Sequence, residues 1–112
     1  MSAPVPVFCL YRVKAEGLES FRALLGRHWP ALHALGLTTD EPAEHWLSRE
    51  KGGGDPVVVE RFAWKDAEMP GRAHELPDVM AIWEPMGALC EERDGQRSME
   101  FLHVEPLDVP RA

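Results

Sequence analysis

The chain has 112 residues, 45% hydrophobic and 28% charged, which suits one globular domain with a modest core. Its 19 acidic against 12 basic residues give a net charge of −7 with no basic stripe to offset it, which argues against nucleic acid or a membrane surface as partner. Two cysteines at core-facing positions, Cys9 and Cys90, an N-terminus without a basic or apolar signal region, and no apolar run near ~18 residues predict a cytoplasmic protein with free thiols.

Val7 to Val13 predicts a first strand, with Val7, Cys9, Tyr11 and Val13 on one face and Phe8 and Leu10 on the other. Apolar residues on both faces mean that both faces are covered. Gly17 to Leu35 predicts an amphipathic helix whose stripe is Leu18, Phe21, Leu25, Trp29, Leu32 and Leu35, stopped by Gly36 and kinked near Arg27 or His28 by Pro30. Ala43 to Lys51 alternates weakly, with Trp46 and Ser48 opposing His45 and Leu47, and reads as an edge strand. The glycine-rich Gly52-Gly53-Gly54-Asp55-Pro56 connects it to the next element.

The stretch from Val57 to Glu92 carries the most information. Val57 to Trp64 is a third strand, apolar on both faces, and Lys65 to Arg72 a loop. Glu75 to Glu92 is a second helix with an apolar face that includes Val79, Met80, Trp83 and Met86, and with Pro85 inside it. A strand that ends on Trp64 and feeds a helix with His74 at its mouth reads as the wall and rim of a small-molecule pocket. Ser98 to Leu107 is the last strand, and the tail beyond it is frayed. The order is βαββαβ, an α+β, ferredoxin-like arrangement with a four-stranded antiparallel sheet and two helices on one face. Leaving the other face in water forfeits about 1.5–3 kcal/mol per large side chain. A second copy of the same sheet is therefore expected to cover it, giving a homodimer.

The element order, together with Glu60-Arg61-Phe62-Ala63-Trp64-Lys65-Asp66 followed by Ala73-His74, resembles the dimeric α+β barrel superfamily, in particular its antibiotic-biosynthesis-monooxygenase-like branch. The resemblance implies a pocket between sheet and helices that takes a planar ligand, and chemistry without a tightly bound cofactor. Haem, held through His74, is the alternative. In the haem-degrading members an Asn stands on the first strand and a Trp precedes the His. Here Tyr11 and Arg12 stand at the first position, and no Trp lies between Lys65 and His74.

Within that frame His74 is the candidate proton acceptor, because the N-terminal end of a helix favours a neutral imidazole. Glu60, on a central strand among apolar neighbours, needs a partner. It either supports a catalytic His or plays a structural part through a hydrogen bond or an ion pair with Arg61 or Arg12. Tyr11, Trp29, Trp64 and Trp83 are the candidate substrate-binding walls. His28 and His33 are five apart, about 140° around a helix, and cannot share a ligand. His103 and Glu105 share a strand face, but two ligands make a weak metal site, and the spacing for structural zinc is absent. The glycine run lacks the Lys-Ser/Thr of a phosphate loop. The reading is a monooxygenase-like protein acting on a small aromatic or quinol-like compound, with a non-catalytic homodimer that binds a small ligand or haem as the alternative.

Overall fold

The computed structural model describes residues 3–51 and 53–111. Met1 and Ser2, Gly52 of the glycine-rich connection and Ala112 of the tail lie outside the described residues. Strand β1 (Val5–Arg12) leads through a 3-10 turn (Ala15–Gly17) into helix α1 (Leu18–Ala34). Strands β2 (Glu44–Arg49) and β3 (Pro56–Trp64) follow, then helices α2 (Met69–His74) and α3 (Pro77–Ala88) and strand β4 (Met99–His103). The strands lie in the order β2-β3-β1-β4, every pair antiparallel. This is the expected α+β ferredoxin-like fold, with β2 at an edge.

Alternation sorts each strand between two faces. On the helix side, Val7, Cys9 and Tyr11 of β1 stand beside Val58, Glu60, Phe62 and Trp64 of β3, and all are buried. On the opposite side Phe8, Leu10, Val57 and Val59 are half-buried. They share that face with Trp46 and Leu102, which are 48% and 54% exposed. The apolar second face predicted from the two central strands is therefore present and extends onto both edge strands.

Helix α1 ends as Gly36 predicts. Gly36 takes φ +75° and gives its N–H to the His33 carbonyl, while the Leu37 N–H returns to Leu32. That pair of bonds satisfies the last carbonyls of the helix and needs a residue at ease with positive φ. Pro30 does not interrupt α1, which runs on to Ala34. Gly26, whose carbonyl loses the Pro30 donor, is exposed, so water can take its place.

Two predicted elements differ. The single helix Glu75–Glu92 is two helices, and α2 takes up part of the predicted loop. Pro77 bars the helical conformation at the residue before it, and Leu76 accordingly lies extended at φ −99°, ψ 119°. Three helices, not two, thus cover the sheet. Strand β4 stops at His103, short of Leu107. The next backbone bond runs from the Val104 N–H to the Pro6 carbonyl, and Pro6, Pro4 and Pro106 offer no N–H to continue the ladder.

Candidate active site

A cavity of about 260 Å³ lies between the sheet and the helices. Its floor is Val7, Cys9 and Tyr11 of β1 with Phe62 and Trp64 of β3. His28 of α1 and Trp83 and Met86 of α3 form the wall, and Pro70 and His74 of α2 sit at its side. Met99, Phe101 and His103 of β4 complete it. The surface is almost wholly apolar, and three of the polar side chains along it, Tyr11, His28 and Trp83, belong to one connected network.

The centre of that network is Glu60, fully buried beneath the helices. Tyr11 donates its hydroxyl to Glu60 Oε1 at 2.7 Å. His28 Nδ1 lies 2.9 Å from Oε1, and His45 Nε2 lies 2.9 Å from Oε2. Each of these follows from local structure. Cross-strand register sets His45 of β2 directly opposite Glu60, and Tyr11 shares the face of Glu60 two residues along β1 from Cys9, its opposite number. Helix α1 buries Phe21, Leu25, His28 and Leu32 at spacings of four, three and four, so the imidazole of His28 occupies a core position.

Burial alone pushes the Glu60 carboxyl up, but the hydrogen bonds from His28, His45 and Tyr11 outweigh it and hold the group at about 2. The same burial, reinforced by the Glu60 charge, pushes the Tyr11 hydroxyl well above its ordinary value and the Cys9 thiol up to about 12. Neither is an acid at neutral pH.

The other nitrogen of His28 fixes its protonation. Trp83 donates its indole N–H to His28 Nε2 at 2.8 Å. An indole nitrogen only donates, so Nε2 carries a lone pair and Nδ1 carries the proton that faces Glu60. His28 is thus a neutral imidazole oriented by a carboxylate, with its basic nitrogen turned to a cavity-lining tryptophan.

The sequence-predicted residues fare differently. Tyr11, Trp64 and Trp83 line the cavity, as does His74. Trp64 is 5% exposed, and among the described residues its indole N–H has no acceptor. Trp29 is not among the lining residues; it stacks on His33 with ring centroids 4.7 Å apart. Glu60 pairs with neither Arg61 nor Arg12, which turn to Glu44 and Glu100 respectively. His74 does not open a helix but ends one, so the argument from a helix N-terminus does not apply to it. It is exposed, makes an edge contact with Trp83 at 4.8 Å, and does not meet Glu60.

His28 and His45 were not predicted. The signal for His28 was its place three after Leu25 and four before Leu32. The signal for His45 was a hairpin folded about the glycine run, which pairs position 45 with position 60. Among the described residues no group of three or more His, Cys, Asp or Glu side chains is placed to hold a metal ion, and no helix is long and apolar enough to cross a membrane. Cys9 and Cys90 are both buried free thiols.

No family model and no curated protein matches the sequence. Solved structures do. Rv0793 from Mycobacterium tuberculosis is 20% identical, with a TM-score of 0.61 over 96% of this chain and 98% of its own. A mutant of SnoaB, a cofactor-independent oxygenase from Streptomyces nogalater, is 17% identical, with a TM-score of 0.65 over 96% of this chain and 97% of its own. A dimeric ferredoxin-like protein of unknown function from Jannaschia sp. CCS1 is 13% identical, with a TM-score of 0.64 over 93% of this chain and all of its own. Likeness at these identities establishes the fold, the α+β ferredoxin-like arrangement described above.

Proposed function

We propose that this protein is a monooxygenase-like enzyme that deprotonates a small aromatic, quinol-like compound in the cavity between sheet and helices and lets it react with dioxygen. The observation that carries the reading is the neutral His28 imidazole held by Glu60 at the wall of an apolar cavity. A ligand hydroxyl that replaces the Trp83 indole on Nε2 meets a base already oriented for proton transfer. His28 thus takes the role that the sequence suggests for His74, and His74 is left at the side of the cavity. SnoaB, of the same fold, is a cofactor-independent oxygenase, which agrees with this chemistry.

The chemistry balances without a cofactor. A carbanion formed beside the ionised hydroxyl reduces dioxygen. One oxygen atom becomes a carbonyl on that carbon in place of its single ring hydrogen, and the other leaves as water with that hydrogen and the proton lost from the hydroxyl. The protein's share is deprotonation and exclusion of bulk water. Size narrows the substrate. An apolar cavity of about 150 Å³ holds benzene, so about 260 Å³ suits one or two fused rings better than a larger polycycle. The same volume is below the ~300–1,000 Å³ of sites for drug-sized ligands, which speaks against haem as the occupant, and no step here uses it.

The reading includes a homodimer through the second sheet face, where Phe8, Leu10, Trp46, Val59 and Leu102 await a cover. A lone 12.6 kDa species in sedimentation at micromolar concentration would remove it.

The test of activity is oxygen uptake with one- and two-ring hydroquinones, and with a three-ring compound for comparison. The wild type consumes oxygen with the smaller compounds, and His28→Gln abolishes the uptake while His74→Ala reduces it less. Binding of these compounds without uptake would favour a non-catalytic ligand-binding dimer. A Soret band on adding haemin, lost in His74→Ala, would favour haem.

A further inference from the structure

Two imidazoles flank one buried carboxylate, and they face different worlds. His28 looks into the cavity, while His45 comes from the edge strand β2 with 37% of its side chain exposed. We propose that Glu60 makes His28 and His45 alternative carriers of a single positive charge, so that a proton accepted from a ligand by His28 is matched by release of a proton from His45 to solvent. The proposal rests on the reading of His28 as the base of the cavity and gives His45 a positioning role in the same chemistry.

Geometry sets the resting state. His28 is neutral, since Nδ1 faces a carboxylate and Nε2 faces an indole N–H. The Glu60 carboxylate is shut off from water, and among the described residues no Lys or Arg is bound to it. The arginines nearest in sequence or register turn elsewhere, Arg61 to Glu44 and Arg12 to Glu100. His45, with one nitrogen on Oε2 and part of its ring in solvent, is the group placed to carry the counter-charge.

The groups that face this trio change nothing in the count. From β1, Tyr11 donates its hydroxyl and stays protonated, and Cys9 stays a thiol. From α3, Trp83 is uncharged. From α2, His74 touches Trp83 and not the carboxylate. One negative charge thus sits between two imidazoles, and in a buried setting it supports one adjacent cation far better than two.

The proton balance is simple. In the cavity, a ligand O–H bond breaks and an N–H bond forms at His28 Nε2, the Trp83 indole having given up its place. At the sheet edge, an N–H bond of the His45 imidazolium breaks and water takes the proton. The wall of the cavity keeps the same total charge before and after. The base can therefore be loaded while the cavity mouth is filled by the ligand.

The test is an NMR titration of the histidine ring signals of the ligand-free protein. In the wild type each of the two rings shows, besides its own protonation, a second inflection where the other titrates. Replacing His45 by glutamine (H45Q) keeps a donor for Oε2 but no charge, so the His28 curve collapses to one step and moves to higher pH. The reciprocal H28Q variant does the same to His45, since coupling between two sites is mutual, and it keeps the test alive if one variant folds poorly. His28 and His45 curves that are indifferent to the partner's replacement would overturn the proposal. No ligand enters this measurement, so its failure leaves the oxygenase reading standing, and failure to find an oxidisable substrate leaves the coupling standing.

Discussion

Replacing Glu60 by glutamine removes a charge while leaving nearly the same shape, which makes it a direct probe of the buried network. The amide oxygen can still accept from Tyr11 and His28, and its NH₂ can face His45, which without the carboxylate gives up its Nε2 proton and offers a lone pair there. What is lost is the ionised acceptor. The folded carboxyl titrates at about 2 against 4.5 for an ordinary glutamate. As acid is added the unfolded chain therefore takes up this proton first. The stabilisation is complete above pH 4.5 and disappears as pH falls through 2. At ~1.4 kcal/mol per pH unit the difference amounts to about 3 kcal/mol. Urea unfolding followed by tryptophan fluorescence, at one protein concentration and from pH 6 to pH 2, isolates this contribution as the gap between wild type and Glu60→Gln. Other carboxylates cancel in that comparison. The gap should shrink by about 3 kcal/mol over the acid range. A gap as wide at pH 2 as at pH 6 would mean that Glu60 is not held ionised, and the donor network would have to be redrawn.

Trp83→Phe keeps the aromatic wall but deletes the donor to His28 Nε2, and should cost about 1 kcal/mol in urea unfolding while exposing that nitrogen to ligands. A cost near zero would mean that water replaces the indole in the cavity. Cys9 and Cys90, with thiols pushed up to about 12 and about 11, should resist alkylation by iodoacetamide at pH 8 in the native state and react within minutes in urea. Rapid labelling of the native protein would contradict their burial. Gly36→Ala meets no atom within 4 Å but must hold φ +75°, so it should destabilise the fold by about 1–2 kcal/mol through backbone strain alone, read as a lowered urea midpoint.

How the fold was legible, and the site less so, follows from the range of the forces involved. Alternation in β1 and β3 and the spacing of Phe21, Leu25 and Leu32 are local signals. They sufficed for the order of elements, the antiparallel sheet and the helix-covered face. Where local rules competed, the reading slipped. Pro77 outweighed the apolar periodicity from Glu75 onward, and with it went the placement of His74 at a helix start. On α1, large aromatic Trp29 was given the core stripe that polar His28 in fact shares. A histidine at that position is acceptable only because a carboxylate 32 residues away and an indole 55 residues away satisfy both of its nitrogens.

The amino-acid pattern by itself settled what short-range chemistry can settle: the strands, the first helix and its glycine stop, and the two-sided apolar sheet. The tertiary structure alone decided which polar groups meet. Glu60 is joined by Tyr11, His28 and His45 because four separate elements bring them to one point, and Trp83 from a fifth sets the tautomer of His28. No single segment carries that information. A buried charge is tolerable only when distant donors reach it, so the network exists in the packed chain and nowhere along the sequence.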